Sequence, residues 1–599
     1  MLFLKRFLRL SCCVFLLIVM GNTCNAADVD KLDISFTGVE GELLDNVKKH
    51  VRIYAQQQDD ELASERATQR LKKRAITEIK QALEPFGYYQ VTVYLEEVAE
   101  SNQLVYKIEL NDPVIIRSIS IEMDVPQTEQ DEFVSWRASY PLKEGRVLLQ
   151  APYEAAKKVL QSKALRLGYF DAEFSRHQIL IDEDRTSADI KLVFVSGQRY
   201  SVSSTHFEWE VADDADIKTR QLIDAPLLES QIAFRIGDPY DTSSLVKTQQ
   251  NLINTAYFST VSVQAGDADR SNATVPIVIA LTPNKRTAYS AEAGVGTDTG
   301  IRGGIGYENR RINSRGHNIS VRLGGSDIKR SLITNYQIPR ARSPKDNINV
   351  FAILEEEVGD NRDFEQVSIG TELTRDWRDS LLKFGLTASQ EKYLRLEDEG
   401  DLNSLLETST NSLMPSISWE RVKSDDLRYP TRGWSASVTL RATSDSLASD
   451  VSLAQAVIDA KIVRPLGNGR LKARIALGGT IIDEANDIPE SLGFLTGGDD
   501  SVRGYSYESI GVESDDGVIV GKNKVVGSLE YQHPIKNDFA LATFIDIGDA
   551  FNSEPSYKTG AGVGLRWRLP FGALRLDVGS ALDLEGDPLR LHFSFGTDL

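Results

Sequence analysis

The sequence predicts a membrane β-barrel of sixteen antiparallel strands preceded by three small α+β modules, and three observations support this prediction. An aromatic motif recurs three times in the first half of the chain, each time after an amphipathic helical pattern. From Asn284 to Leu599, segments of about ten residues alternate between apolar and small or polar side chains, as in strands with lipid on one face and a polar lumen on the other. A glycine- and acid-rich loop at 497–505 interrupts this second half.

Residues 1–26 are predicted to be a secretory signal peptide. Basic residues precede an apolar core from Leu10 to Met20, and a small-residue cleavage site ends at Ala26. The apolar core is too short to span a bilayer, and the residues before Cys24 match a lipoprotein site poorly. All three cysteines lie in or at the edge of this segment. We therefore expect neither disulfides nor thiolate metal sites in the mature chain.

Composition argues against several classes of protein. The formal net charge of −19 becomes −22 when the three basic residues of the signal leave, so a general nucleic-acid binder is not expected. The six histidines are scattered, with no pair at metal-ligand spacing, and we expect no metal site. Gly-rich runs such as Gly303–Gly306 alternate as strands and do not form a nucleotide loop. With no nucleophile motif either, we expect no enzyme and no cofactor.

The front half is predicted to contain three similar modules. The motif appears at Phe86-Gly87-Tyr88-Tyr89, Leu167-Gly168-Tyr169-Phe170 and Thr255-Ala256-Tyr257-Phe258, with spacings of 81 and 88 residues between the second positions. A roughly fixed period indicates repeated domains. We place them at 27–111, 112–196 and 197–283, each with the order β-α-α-β-β. The aromatic residues are expected to be core anchors. Free sheet edges could add an extended peptide, unless charges blunt them.

Residues 284–599 are predicted to form the barrel. At roughly 20 residues per strand and connection, this length gives about sixteen strands. An even number places both ends of the barrel on the same side, and the loop around Arg503 becomes the sixth outward connection. We expect this loop to fold into the lumen, where Arg503 would find a buried carboxylate. The alternative is a solvated surface loop.

The closing seam of the barrel is expected to be weak. The outward residues of the first strand are mostly small, and cross-strand side-chain contacts stabilise a sheet. Such a seam is either an accident of terminal strands or a lateral gate. The outward residues on its two sides are Tyr289, Ala291, Ala293 and Val295 on the first strand and Leu591, Phe593 and Phe595 on the last.

Several motifs resemble a known family. The most specific is Val502-Arg503-Gly504-Tyr505 after Gly497-Gly498, and further matches are Tyr429–Gly433, Gly527–Tyr531, Phe544–Asp549 and Gly562–Trp567. Together with the module order, they resemble the outer-membrane assembly superfamily that includes BamA and the two-partner secretion transporters. The modules are then POTRA domains in the periplasm. The resemblance implies that the loop arginine is held by an acid on an inner strand, which corresponds to Asp546, with Glu530 as a second candidate.

Three modules resemble the TamA branch of this family, and no lipase-type Gly-x-Ser-x-Gly insert is present. The resemblance implies a location in the outer membrane of a Gram-negative bacterium and a TamB-like, inner-membrane-anchored partner that meets the third module. Nascent outer-membrane and autotransporter-like proteins would be the clients, inserted without nucleotide beside outer-membrane lipid. The alternatives are a secretion pore, a docking port for an envelope-spanning lipid conduit, or a structural anchor. The ending Phe593–Leu599 departs from the usual terminal aromatic.

Overall fold

The computed structural model describes most of the chain after the predicted signal peptide, which lies outside the described residues. The described ranges are 33–58, 65–98, 103–126, 130–210, 222–359, 363–396, 405–426, 428–514, 517–536, 538–570, 572–586 and 588–596. The chain divides into two compact units, the first mostly within residues 33–202 and the second holding most of residues 203–596. Among the described helices, none combines the length and the apolarity needed to cross a bilayer.

The first module is a three-stranded sheet covered by helices. Its elements are β1 (Asp33–Thr37), α1 (Gly41–His50), α2 (Arg52–Gln58), α3 (Glu65–Leu83), β2 (Thr92–Val98) and β3 (Gln103–Glu109). The central strand β3 pairs in parallel with β1 and antiparallel with β2. Three helices replace the expected two because the backbone of Val51 is extended, with φ −85° and ψ 107°. This fully buried valine turns the chain between α1 and α2 and joins the core.

The second and third modules repeat the same sheet order and have the expected two helices. The second contains β4 (Ile115–Asp124), α4 (Gln130–Ala138), α5 (Gln150–Arg166), β5 (Glu173–Ile181) and β6 (Ser187–Val195), and the third contains β7 (Ser201–Trp209), α6 (Ala225–Glu229), α7 (Thr242–Asn254), β8 (Phe258–Ala265) and β9 (Thr274–Pro283). The strand orders are β4-β6-β5 and β7-β9-β8. Each central strand is thus the last of its module.

The repeated motif ends the second long helix of each module in the same way. Gly87, Gly168 and Ala256 all have positive φ values, of 91°, 89° and 59°. A left-handed residue is a common helix terminator, and glycine adopts it without a steric cost. The aromatic residues that follow enter the module cores, as Tyr169 and Phe258 show by their burial.

Sixteen strands form one antiparallel sheet in which every neighbour along the chain is a neighbour in space. They are β10 (Thr287–Gly296), β11 (Gly300–Asn309), β12 (Asn318–Gly325), β13 (Lys329–Pro339), β14 (Asn347–Val358), β15 (Asp363–Trp377), β16 (Ser380–Leu396), β17 (Leu405–Ser424), β18 (Gly433–Thr443), β19 (Leu453–Leu466), β20 (Gly469–Ile482), β23 (Asn523–Lys536), β24 (Phe539–Phe551), β25 (Lys558–Leu569), β26 (Gly572–Ala581) and β27 (Leu589–Gly596). The short strands β21 (Val512–Ser514) and β22 (Gly517–Ile519) lie between β20 and β23 in the chain and pair with each other in a separate hairpin. The predicted strand number and antiparallel arrangement are confirmed.

The wall is apolar outside and polar inside. On β24, Leu541, Ile545 and Ile547 are roughly half exposed, whereas Asp546 between them is 1% exposed. A water-soluble sheet would bury the apolar residues and expose the acid. This inverted pattern is the one that a barrel in lipid requires, because its outer face meets hydrocarbon and its inner face a polar lumen.

The third module contacts the barrel through its aromatic motif. The Tyr257 hydroxyl donates to the Gly316 carbonyl over 2.7 Å, in the turn between β11 and β12. The Asp224 amide donates to the carbonyl of Ser314 in the same turn over 2.8 Å. Gly316 has a φ of 75°, and a Cβ there would lie 2.5 Å from the Tyr257 hydroxyl. This aromatic residue therefore has a docking role in addition to its place in the module core.

Candidate functional site

The connection between β20 and β23, residues 483–522, folds back among the barrel strands and is called loop 6 below, after its place among the connections at its end of the barrel. It carries a short hairpin of β21 (Val512–Ser514) and β22 (Gly517–Ile519). Arg503 near its middle is only 7% exposed. Side chains from three wall strands, β23, β24 and β26, contact this arginine, so the solvated-surface alternative does not describe the loop.

Arg503 makes its main contact with Asp546 on β24. Its Nε donates to Oδ2 over 2.7 Å and its Nη2 donates to Oδ1 over 2.9 Å. The Arg503 backbone amide donates to the same carboxylate over 3.2 Å. The guanidinium carbon lies 3.5 Å from the centre of the Phe544 ring. Two parallel charge-assisted hydrogen bonds and a ring face fix the arginine in one orientation.

A second layer of charges surrounds this pair. Arg503 Nη1 donates to Glu530 on β23 over 2.7 Å and to Asp577 on β26 over 3.1 Å. Arg566 on β25 is fully buried and donates to both of these acids, with Nη2 2.9 Å from Glu530. Lys472 Nζ lies 3.8 Å from Glu530. We call Arg503, Arg566, Lys472, Asp546, Glu530 and Asp577 the brace network. Its three cations face three carboxylates, and this balance permits the burial of charge.

Arg566 and Asp577 were not predicted from the sequence. The alternation of apolar and polar residues did indicate that both side chains point into the lumen, because their neighbours in the sequence, such as Leu565 and Leu576, are apolar and exposed on the outer face. A charged residue on the inner face of a strand is unremarkable in a polar lumen. The pairing of these two strands with the loop arginine became visible only in three dimensions.

Glycine is required where loop 6 meets the wall. Gly504 has a φ of 102°, and a Cβ there would lie 2.6 Å from the backbone carbon of Ser580 on β26. A Cβ on Gly560 of β25 would lie 1.8 Å from the Arg503 carbonyl oxygen. Both positions allow backbone to approach backbone more closely than any side chain would permit.

Val502 and Tyr505 hold the same loop segment by packing. Val502 is fully buried and clusters with Tyr505, Ile510 and Ala581. The Tyr505 hydroxyl donates to Asp583 over 3.2 Å. Burial, with a further contribution from the negative charge of Asp583, raises the pKa of Tyr505 to about 12. The phenol therefore stays a hydrogen-bond donor across the physiological pH range.

The first and last strands of the barrel leave an open seam. Among the described residues, β10 pairs only with β11 and β27 only with β26, so no ladder of backbone hydrogen bonds joins β10 to β27. These edge strands have 10 and 8 residues, whereas β17 on the far wall has 20. The residues predicted to flank the seam on its outer face are exposed, except Phe593, which is half-buried: Tyr289, Ala291, Ala293, Val295, Leu591 and Phe595.

Side chains at one end of the seam cross it through loop 6. Thr297, in the turn after β10, donates its hydroxyl to Asp499 of loop 6 over 3.1 Å and accepts from the Phe593 amide of β27 over 3.1 Å. Asp499 also contacts Nδ1 of His592, whose Nε2 accepts from the Gly504 amide over 2.8 Å. We call Thr297, Asp298, Asp499 and His592 the seam cluster.

Hydrogen bonds assign the protonation state of His592. The Gly504 amide can only donate, so Nε2 is unprotonated and Nδ1 carries the proton that it donates to Asp499. Asp298, Asp499 and His592 place donor atoms within 4.8 Å of one another, a set that could hold a metal ion. The scattered sequence positions gave no sign of this grouping. Since both imidazole nitrogens already have partners, the geometry fits a hydrogen-bonded cluster better than a metal site.

Asp298 is an acid of the seam cluster whose pKa is raised. Its carboxylate accepts from the Asp499 amide over 2.7 Å. Burial raises its pKa to about 6, and the negative charge of Asp499 adds to the effect, whereas the hydrogen bond from the Asp499 amide opposes it. This carboxyl therefore changes its charge near neutral pH.

A second anchor holds the start of loop 6 on the opposite wall. The Ser491 amide donates to the buried Glu391 of β16 over 3.2 Å, and the Ser491 hydroxyl contacts the same carboxylate. Leu492 accepts from Gln455 through its carbonyl over 2.8 Å. Ile488 and Leu492 pack on Met414 and Leu453. Loop 6 thus reaches from β16 to the brace network.

Comparisons with known proteins agree with this architecture. A family model described as the Omp85 superfamily domain matches residues 312–598, and one described as POTRA domain, TamA domain 1, matches residues 33–110. Outer membrane protein assembly factor BamA of Nitratidesulfovibrio vulgaris is 23% identical over 390 residues, which cover 60% of this chain and 48% of the relative. The protein of the same name from Neorickettsia risticii is 23% identical over 389 residues, 59% of this chain and 50% of the relative.

The chain spans about half the length of these curated relatives. Among solved structures, BamA from Haemophilus ducreyi lacking POTRA domains 1-3 matches with a TM-score of 0.57 at 17% identity, covering 80% of this chain and 99% of that one. This likeness concerns the fold alone. Residues 312–598 of this chain are therefore similar to the Omp85 superfamily domain, and residues 33–110 are similar to a POTRA domain.

Proposed function

We propose that this chain is an outer-membrane assembly and translocation factor that helps autotransporter-like and other barrel proteins enter the membrane. The observation that carries the proposal is the seam between β10 and β27, whose facing edges lack a backbone ladder within the described strands. A free strand edge is a template for another strand. In lipid every backbone group needs an internal partner, so a nascent client strand gains free energy by pairing there without nucleotide.

The brace network and the seam then have separate roles in this proposal. Arg503, held by Asp546 and Glu530, keeps loop 6 and the wall from β23 to β26 in place. The outward residues from Tyr289 to Val295 and from Leu591 to Phe595 form the lateral gate. Short edge strands also bring polar ends close to the bilayer and disturb the adjoining outer-membrane lipid.

The architecture and the family matches also support a location and a partner. We place the chain in the outer membrane of a Gram-negative bacterium with its POTRA domains in the periplasm, since an even strand number leaves both barrel ends on one side. The match to the TamA domain 1 type supports a TamB-like, inner-membrane-anchored partner. Its docking site is the third module, about residues 197–282, which also contacts the barrel turn at Gly316.

The test is site-specific photo-crosslinking from β10 in cells that express a nascent outer-membrane protein. A photoreactive residue replaces Ala291 or Ala293, and the matched control replaces Ile475, an outward residue of β20 inside the paired wall. We expect adducts with client terminal strands from β10 only, and we expect them to disappear with Arg503→Ala.

Adducts only with β27, in cells where clients still assemble normally, would contradict the proposal. The seam would then stay shut during assembly. That outcome would favour the alternative reading, a secretion pore or a docking port for an envelope-spanning lipid conduit.

A further inference from the structure

One end of the barrel, where the chain enters β10, carries an excess of basic residues and is called the entry end below. Residues 284–286 precede β10, and the turns 310–317 and 340–346 connect β11 to β12 and β13 to β14 at the same end. These three stretches together hold one acid, Asp346, and eight basic residues: Lys285, Arg286, Arg310, Arg311, Arg315, Arg340, Arg342 and Lys345.

The excess belongs to one end and one side of the barrel. At the opposite end of the same strands, the turns 297–299 and 326–328 contain Asp298 and Asp327 and no basic residue. At the entry end of the far wall, the turn 425–432 between β17 and β18 balances two acids with two basic residues. A solvated surface without a specific partner usually mixes both signs of charge, so the uneven distribution indicates a function.

The three basic stretches are neighbours in space. Arg286 donates through Nη2 to the Ile312 carbonyl over 3.0 Å, and the Arg310 amide donates to the Arg286 carbonyl over 2.8 Å. The two turns flank the paired strands β12 and β13, where the Asn318 side chain donates to that of Gln337 over 3.0 Å. The basic residues therefore lie along one continuous surface.

Five of the eight basic side chains are exposed, and we call them the basic rim: Lys285, Arg286, Arg315, Arg342 and Lys345. Within the part of the chain that the structure describes, none of the five forms an ion pair. The Arg286 guanidinium donates to two neutral oxygens, those of Asn309 and Ile312. Burial lowers the pKa of the half-buried Arg311, and the positive charge of Arg286 lowers it further. These cations are thus close enough to repel one another.

The acids beside the basic rim do not neutralise it. Glu308 lies 3.3 Å from Arg310 and is paired with it. Asp346 is buried and accepts a hydrogen bond from a backbone amide. Asp224 lies beside the turn 310–317 through the hydrogen bond of its own amide. With these three acids set against all eight basic residues, the surface remains positive.

The basic rim lies just beyond the aromatic edge of the apolar outer face. Tyr289 on β10 and Tyr307 on β11 stand opposite each other, with ring centroids 5.5 Å apart. Aromatic residues of this kind flank the apolar band of membrane barrels. Arg286 precedes Tyr289 by three residues, which corresponds to about 7 Å along the bilayer normal for a tilted strand. This is roughly the thickness of one headgroup layer.

We propose that the basic rim binds the headgroups of anionic phospholipids in the bilayer leaflet at the entry end. Clusters of about four to eight lysine and arginine residues at a membrane boundary are typical binding surfaces for such lipids. Both arginine forks and lysine point charges bind phosphate groups. Because Lys285 and Arg286 directly precede β10, the bound lipids would lie beside the seam. The surface goes beyond the proposed function, since it requires neither a client nor an open seam.

The test compares the lipids that the full-length protein retains after extraction from nanodiscs. The nanodiscs contain equal amounts of phosphatidylglycerol, which is anionic, and phosphatidylcholine, which is zwitterionic, and native mass spectrometry counts both lipids on the protein. The variant R315Q/R342Q/K345Q removes three cations of the basic rim. We expect the wild type to retain phosphatidylglycerol preferentially and the variant to show a preference lower by roughly tenfold or more.

The matched control is R378Q/K423Q/R428Q. It also removes three exposed cations at the entry end, but from the far wall, where Asp379, Asp425 and Asp426 accompany them. We expect it to retain phosphatidylglycerol as the wild type does. In lipid-free detergent the rim variant should melt at no lower temperature than the wild type, because its cations repel one another. This measurement separates lost lipid binding from lost folding.

Two results would overturn the proposal. In the first, the wild type retains both lipids equally, and an acidic protein segment would then be the better occupant of this surface. In the second, the preference persists in the rim variant or falls equally in the control, and retention would then not depend on the basic rim. No client protein enters the experiment, so its failure and that of the proposed function are distinguishable.

Discussion

At the residue scale, Arg503 connects three carboxylates that come from three different strands. Arg503→Ala removes both guanidinium bonds of Asp546 and leaves Arg566 and Lys472 against three acids. Breaking a buried ion pair by removing one partner costs about 3–5 kcal/mol. We therefore expect a lower denaturation midpoint, measured by heat-modifiability of the folded barrel on electrophoresis.

The matched control for this substitution is Arg503→Lys. It keeps the positive charge but loses the planar fork that bonds both Asp546 oxygens, so its loss of stability should be intermediate. A midpoint for the alanine variant equal to that of the wild type would mean that the brace network does not stabilise the barrel.

Asp298 gives the seam cluster a defined pH dependence. Its folded pKa of about 6 lies above the unfolded value of about 3.9. The folded chain therefore binds this proton more tightly, and the carboxyl's contribution to stability falls as pH rises from about 4 to about 6. Asp298→Asn keeps an oxygen acceptor for the Asp499 amide without the charge. We expect it to unfold later than the wild type at pH 7.5 and together with it at pH 4.5.

Denaturation curves at several pH values measure this difference. Asp327→Asn is the control. Asp327 lies in the turn between β12 and β13, accepts a hydrogen bond from the Ile301 amide and lies outside the seam cluster. A difference between D298N and the wild type that stays constant with pH would contradict the prediction.

At the scale of elements, the seam can be locked without changing the wall. The Thr297 hydroxyl accepts a hydrogen bond from the Phe593 amide over 3.1 Å, so these two positions are neighbours across the seam and are chosen for a cysteine pair. The predicted mature chain has no cysteine, so T297C/F593C introduces one defined pair. We expect the oxidised variant to lose client assembly and to recover it on reduction, as measured by surface exposure of a client passenger domain.

A cysteine pair inside the wall provides the control for oxidation itself. Ala561 and Ser580 face each other across β25 and β26, which are already paired. A561C/S580C should assemble clients in both redox states. Normal assembly by the oxidised seam variant would exclude lateral opening as a step in the proposed function.

At the scale of the whole molecule, the fold was accessible from sequence because its signals are local. Alternation of apolar and polar residues with period two indicates a strand whose two faces meet different surroundings. The repeated motif indicates the modules, because its left-handed residue ends a helix at the same place in each of them. Ala256 kept that role without glycine. The break between α1 and α2 escaped prediction, because it depends on the burial of Val51 by the module's own core.

The site was accessible only in part. Asp546 and Glu530 were named through the family resemblance, and the structure places both against Arg503. The seam cluster and the anchor at Glu391 join residues separated by about one hundred to three hundred positions in the chain. Their members come together only when loop 6 folds inward, and no local pattern encodes that event. Such contacts follow from closure of the barrel, which a single sequence does not display.

Two of the anchors of loop 6 lie on different walls, and this predicts a cooperative barrier across the lumen. Arg503 anchors it to β23, β24 and β26, and Ser491 anchors it to Glu391 on β16. Arg503→Ala or Glu391→Ala alone leaves the other of these two anchors in place. The double variant frees the middle of the loop, so its effect on ion conductance in planar bilayers should exceed the sum of the single effects.

Glu372→Ala is the control. This glutamate of β15 lines the same lumen cavity as Ser491 and Leu492 of loop 6, and its described hydrogen bond is with Thr374. Combined with Arg503→Ala, it should give an additive change in conductance. If the change in conductance of the E391A/R503A variant also equals the sum of the single changes, the two anchors act independently. Loop 6 would then not act as one cooperative barrier.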